Sequence, residues 1–198
     1  FELLSALAGF NGDYKQIPPM YSAIKIKGAP LYKLAKAGKN VIRKPRQVTI
    51  FKTCLLENDY PIVKMIIECS KGTYIRQFAE DLGLVLNSKA CLYRLRRLSS
   101  GPFHIKNAIK LKSLLSIAEN NYSAMENLLL GPDMALPGLP SLNLSEEDTS
   151  KLNQGQKLHV KNYVKPGLIK LYNHRFSFFA VGEALEDGCL KTKRILNM

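Results

Sequence analysis

The run CSKGTYIRQFAEDLG, Cys69 to Gly83, sets an arginine on the first turn of a helix that leaves an apolar strand directly. A guanidinium fixed at such a junction offers a planar fork of donors to the cleft at the strand ends, a geometry that suits a carboxylate or a phosphate. Arg76 is that residue. A surface ion pair with Glu80, four residues on, is the plainer use of the same side chain. The preceding PIVKMIIEC alternates, with Val63, Met65, Ile67 and Cys69 on one face and Lys64 and Glu68 on the other, which predicts a strand with one buried side. Ser70-Lys71-Gly72 breaks it. Thr73 is expected to cap the helix, whose Ile75, Phe78, Ala79 and Leu82 form one core-facing stripe that excludes Arg76.

The charge distribution widens this reading. The chain carries 29 Lys plus Arg against 16 Asp plus Glu, a formal +13, and the excess lies in blocks. Residues 14 to 56 hold ten basic side chains and no acid, residues 82 to 118 hold seven, and residues 149 to 182 hold six. Acid-free basic tracts of this kind mark a polyanion binder, because each phosphate neutralised releases condensed counterions. A solvated basic surface that aids solubility is the alternative. Tyr14, Tyr21 and Tyr32 interleave the first tract, as stacking against bases would require.

Other features mainly exclude. With 198 residues, 46% of them hydrophobic, the chain can build one sizeable core, or a medium and a small domain. No apolar run has membrane-spanning length, and no signal peptide is expected. Cys54, Cys69, Cys91 and Cys189 form no CxxC pair, and His104, His159 and His174 have no ligand spacing, so zinc is not expected. The cysteines read as small core residues in a reducing compartment. No glycine loop offers a seat for ATP or a dinucleotide.

The elements that must position Arg76 begin with FELLSALAGF, a helix with Leu3, Leu4, Leu7 and Ala8 as its stripe. Because the chain starts inside this helix and without Met, a preceding part is expected to be missing. Pro18-Pro19 opens a long basic excursion with a short helical register at Leu31, Leu34 and Ala35, a candidate for a mobile loop that orders on a ligand. KACLYRLRRLSSGPF alternates again and predicts a strand, Cys91, Tyr93 and Leu95 on one face and Arg94 and Arg96 on the other. Two helices follow, one opened by Asn107 with Leu111, Leu114, Leu115 and Ala118 as its stripe, the other running from a capping box at Ser123 and Glu126 to Leu130. Pro132, Pro137, Gly138 and Pro140 mark a domain boundary. Beyond it come a helix capped by Ser145 and ended by Gly155, then short strands in KLHV, GLIKLYN, RFSFFAVGEAL and CLKTKRIL. Together they predict a small β-barrel-like module. Its Lys157, Lys161, Lys165, Lys170 and Arg175 suit an accessory RNA-binding domain, and a structural appendage is the other reading.

Three segments in order, QIPPMYSAIKIKG (Gln16 to Gly28), CSKGTYIRQFAEDLG and LRRLSSGPF (Leu95 to Phe103), resemble the central and later parts of bacterial TruB-type tRNA pseudouridine synthases. The closing FFAVGEAL and KTKRIL resemble the PUA domain of those enzymes. The resemblance implies an α+β fold, a mixed sheet with flanking helices, over 1–131, a linker over 132–140 and a PUA-like domain over 141–198. It further implies isomerisation of uridine 55 in the TΨC loop of tRNA by a cytoplasmic monomer, with base flipping and without metal or cofactor. By motif match Tyr74 would sit against the uracil, Leu95 would pack on it, and Arg76 would pair with the catalytic aspartate. Residues 20–47 would form the RNA-gripping thumb loop. Tyr21, Lys25 and Lys27 are the expected RNA contacts within it, with Arg96 and Arg97 near the cleft.

The family's glycine-flanked aspartate motif has no counterpart here, and neither has its early tyrosine beside the target base. Asp13, Asp59, Asp81, Asp133, Asp148 and Asp187 all lie in contexts that do not match. The chain alone is therefore expected to be inactive. A non-catalytic RNA-binding or RNA-folding protein on the same scaffold is the alternative, and the joint presence of Tyr74, Arg76 and Leu95 favours the enzyme.

Overall fold

The computed structural model describes residues 2–160 and 165–196 and separates into two units, residues 1–95 and 96–198. In the first, helix α1 (Glu2–Gly9) leads into strand β1 (Gly12–Gln16). A two-residue hairpin, β2 (Lys25–Ile26) and β3 (Ala29–Pro30), precedes the short helix α2 (Leu31–Lys36). Then come β4 (Arg46–Asp59), β5 (Ile62–Cys69) and helix α3 (Ile75–Val85). The sheet order is β1-β4-β5, antiparallel throughout.

Inward positions along β4 change parity. Val48 and Ile50 are buried, a register shift follows between Ile50 and Lys52, and Thr53 and Leu55 then turn inward. An extra residue at a bulge swaps the faces of everything beyond it, which leaves Phe51 exposed. The core of this unit is Leu7, Phe10, Ile50, Phe78 and Leu82, with Tyr14, Met65, Ile67 and Cys69 packed against it. Phe10 bridges sheet and helix, its ring 4.9 Å from Phe78 and 5.3 Å from Tyr14. The inward face of α1 is Leu3, Ala6 and Leu7, while Leu4 and Ala8 of the expected stripe are exposed. Leu3, Ala6 and Leu7 follow the three- and four-residue steps that keep one helical face on the core, and Leu4 and Ala8 fall to either side of it.

The expected strand over residues 89–98 does not form; the chain there has no regular structure, and only Ser99–Ser100 (β6) and Phe103–His104 (β7) pair, as a hairpin. Alternation gives an extended segment, but a ladder needs a neighbour, and among the described residues none pairs with 89–98. Cys54 and Cys91 are exposed and not in a core; Cys69 and Cys189 are half-buried.

In the second unit, helices α4 (Leu111–Asn120) and α5 (Tyr122–Glu126) start about one turn later and two residues earlier than expected. Asn107 closes a short 3-10 turn, and Asn121, not Ser123, caps α5 by accepting the Ala124 N–H at 3.0 Å. In α4 the half-buried residues are Leu114, Ile117 and Ala118, and Leu111 and Leu115 face outward. Strand β8 (Ser141–Asn143) and helix α6 (Glu146–Asn153) follow, Ser145 capping α6 through the Asp148 N–H as expected. Strands β9 (Leu158–His159), β10 (Gly167–Tyr172), β11 (Phe178–Ala184) and β12 (Cys189–Ile195) complete a five-stranded sheet in the order β8-β10-β11-β12-β9. Its core gathers Leu144, Leu152, Leu158, Ile169, Leu171, Phe179, Ala180 and Leu190. No helix among the described residues is long and apolar enough to cross a membrane.

Candidate nucleic-acid interface

The turn from β5 into α3 is fixed before any side chain is placed for chemistry. Ser70 N–H donates to Thr49 O at 2.8 Å, and Ser70 Oγ accepts the Thr49 N–H at 2.9 Å, so the turn is tied to β4 from both sides. Gly72, at φ +85°, supplies the left-handed residue the turn needs. Thr73 does not cap α3: its hydroxyl donates back to Ser70 O at 2.9 Å, and Tyr74 occupies the cap position in extended conformation. A short hydroxyl within reach of a carbonyl three residues back prefers that local bond to the helix end.

Tyr74 is gripped by a residue to which the sequence gives no role. Gln16, at the end of β1 and 1% exposed, accepts the Tyr74 N–H at 2.8 Å through Oε1 and donates to Tyr74 O at 3.1 Å through Nε2. Two residues on, Arg76 is exposed and free of Glu80; its Nη2 donates to Tyr21 O at 3.2 Å. Arg76 makes no ion pair among the described residues. A second guanidinium, Arg43, donates from Nη1 to Pro18 O at 2.9 Å. The stretch from Gln16 to Tyr21 is thus held to the start of α3 at both ends.

Beyond Tyr21, whose side chain is 56% exposed, the chain enters the β2–β3 hairpin. Lys27 (φ +48°) and Gly28 (φ +84°) form its two-residue turn, the double positive φ that such a hairpin demands. Lys25 and Lys27 are both exposed. The hairpin is anchored by Leu31, 1% exposed, whose N–H donates to Ile24 O at 2.7 Å, and by Tyr32 N–H donating to Ser22 O at 3.0 Å. Residues 20–47 therefore hold a hairpin and a helix set on a buried leucine. Leu95 is 66% exposed at the end of the first unit, and Arg96 and Arg97 are exposed at the start of the second. Of the expected site residues the structure joins Arg76 to Tyr21 by a hydrogen bond, holds Tyr74 through Gln16 two residues before Arg76 on the same turn, and carries Lys25 and Lys27 on the hairpin that follows Tyr21. In the second unit Lys157, Lys165 and Arg175 are exposed and Lys170 is half-buried, while Lys161 lies outside the described residues.

Five of the six aspartates are held by partners of their own. Asp81 accepts hydrogen bonds from Tyr14 Oη and, at 3.0 Å, from Gln77 Nε2, and partial burial holds its carboxyl above the usual range. Asp13 accepts from Thr49 Oγ1, Asp133 from Tyr172 Oη, Asp148 from Ser145 Oγ, and Asp187 from the Cys189 N–H.

Three family models match consecutive stretches. Residues 2–75 match the N-terminal domain of the TruB family pseudouridylate synthases, 76–137 the tRNA pseudouridylate synthase B C-terminal domain, and 140–196 the C-terminal domain of pseudouridine synthase II TruB. The chain is 40% identical to tRNA pseudouridine synthase B of Pseudomonas paraeruginosa and 41% identical to that of Nitrosococcus oceani, with 98% of this chain covered in each comparison. It spans 64% and 63% of the length of those two relatives. In fold it is similar to a solved Cbf5-Nop10-Gar1 complex, with TM-score 0.71 and 20% identity over 98% of this chain and 61% of the other. It is also similar to an H/ACA RNP bound to a substrate RNA containing 2'-deoxyuridine, with TM-score 0.72 and 18% identity over 98% of this chain and 60% of the other.

Proposed function

The chain belongs to the TruB family of pseudouridine synthases, and from that premise we propose that it forms the RNA-gripping and base-holding part of an enzyme that converts uridine 55 in the TΨC loop of tRNA to pseudouridine. Residues 1–131 would belong to the catalytic part, with 20–47 as the loop that grips RNA. Residues 132–140 would be the linker, and 141–198 a PUA-like domain that meets the RNA through Lys157, Lys165, Lys170 and Arg175. The observation that carries this reading is that Arg76 bonds Tyr21 O and Gln16 bonds Tyr74, so one segment, Gln16 to Tyr21, is tied to the start of α3 at both ends and runs on into a basic hairpin.

The reaction needs a carboxylate to assist cleavage at the ribose C1′. The detached uracil rotates, rejoins through C5 and loses the C5 proton. Tyr74 would hold the flipped base from one side and Leu95 would close on it. Arg76 would pair with the carboxylate, because a desolvated cleft drives a carboxyl toward its neutral form and an adjacent guanidinium opposes that by roughly 1 to 3 pKa units. Tyr21, Lys25, Lys27, Arg96 and Arg97 would bind the RNA backbone and loop. None of the aspartates described above is bonded to Arg76, and the matched relatives are longer by about a third of their length. Both facts support a nucleophile supplied from outside these 198 residues. The enzyme would work as a cytoplasmic monomer without metal or cofactor.

Incubated with unmodified tRNA, the chain is expected to bind it and to form no pseudouridine. Pseudouridine above background would place the nucleophile within these residues. No preference for the T arm over a scrambled stem-loop would overturn the substrate assignment.

A further inference from the structure

Gln16 is a neutral amide sealed in a protein interior, and every polar atom of its side chain is used on one residue. Its oxygen takes the Tyr74 N–H at 2.8 Å and its nitrogen serves Tyr74 O at 3.1 Å, across 58 positions of sequence. Tyr74 O also accepts the first hydrogen bond of the helical ladder, from the Phe78 N–H at 3.0 Å. This is the pairing a neighbouring strand would make, and a strand is not available: after Gln16 and Ile17 come Pro18 and Pro19, which have no N–H to continue β1. The side-chain amide replaces the missing rung.

What it positions follows from the other bonds of the segment. Pro18 O is held by Arg43 and Tyr21 O by Arg76. With Gln16 on Tyr74, these bonds set the backbones that bear the Tyr21 and Tyr74 rings and the Arg76 guanidinium in one relation to each other. A leucine or methionine would fill the same volume equally well, so the volume alone does not call for an amide. We propose, resting on the uridine-site reading above, that Gln16 is a positioning residue of that site: it sets Tyr74 against the flipped base and touches neither RNA nor reacting atoms.

The test uses the chain itself with a T-arm stem-loop RNA carrying 2-aminopurine beside the target uridine, whose fluorescence rises when that neighbourhood unstacks. Gln16→Met keeps the volume and removes both hydrogen bonds; Gln16→Glu keeps the acceptor and loses the donor. Gln16→Met is expected to bind the RNA within about threefold of the parent chain and to lose about tenfold in the unstacking equilibrium, the scale of two lost hydrogen bonds. Its Tyr74 amide should exchange faster with solvent, and Gln16→Glu should fall between the two. If Gln16→Met does not fold, Gln16→Glu alone decides by the same readings. Parent-like fluorescence, or affinity and fluorescence lost in equal proportion, would overturn the proposal. A parent chain that binds without any rise refutes the uridine site itself, whereas unchanged Tyr74 exchange refutes the clamp, so the two failures are distinguishable.

Discussion

Arg76 reaches back 55 residues to the main-chain oxygen of Tyr21, 3.2 Å away, and forms no bond with Glu80 one turn along its own helix. A guanidinium has five donors, and this bond uses one of them. Arg76→Ala should therefore release the Tyr21 segment and remove the partner of the reaction's carboxylate. In the protein that carries the aspartate, turnover should fall by at least about 100-fold while tRNA affinity falls far less. Steady-state kinetics beside a binding isotherm would decide, and equal losses in both would make Arg76 a phosphate contact.

Lys25 and Lys27 stand exposed on a hairpin whose turn is fixed by two positive-φ residues. Replacing both by Ala should weaken binding of the T arm and reduce the slope of log K against log salt by about 1 to 2, near one per lysine that meets a phosphate. An unchanged slope would remove this hairpin from the RNA contact.

Gly83 has no room for a side chain, since a Cβ there would lie 2.5 Å from the Ala90 backbone nitrogen. An exposed helical glycine gains about 1 kcal/mol on change to Ala. Here the neighbour is backbone and cannot swing aside, so Gly83→Ala should instead destabilise the first unit by about 1 to 3 kcal/mol in urea unfolding.

Asp81 supplies a pH signature. Its folded pKa is raised from 3.8 by burial, so the stability that its protonation contributes is full below about pH 3.8 and is lost as pH rises through the raised value. Asp81→Asn retains an acceptor for Tyr14 and has no charge to desolvate. Thermal unfolding of the variant should match the parent at the acid end and lie slightly higher at neutral pH, by no more than about 2 °C. A variant less stable than the parent at neutral pH would mean that the ionised carboxylate is needed by Tyr14 and Gln77.

The parts of this molecule that were legible in sequence are those decided locally. The Ser145 cap and the strands β10 to β12 follow from neighbours a few residues apart, and so does the Gly155 stop, at φ +79°. Thr73 and Ser123 read as caps, but each has a rival acceptor or capping residue nearby that wins by geometry, and Asn107 is taken up in a short 3-10 turn before α4 begins. Residues 89–98 read as a strand because alternation reports extension and not pairing. Gln16 and Arg43 were invisible as site residues because their partners lie 58 and 25 positions away. The QIPP spelling, an amide before residues that end a strand, is the one local hint.

The central claim is that the surface built by Tyr21, Tyr74 and Arg76 receives the target uridine. A T-arm stem-loop with 4-thiouridine at the target position, irradiated on the chain and mapped by mass spectrometry, tests it directly. The account predicts cross-links at Tyr74, Tyr21 or their immediate neighbours; cross-links confined to residues 141–196, with none in the first unit, would contradict it.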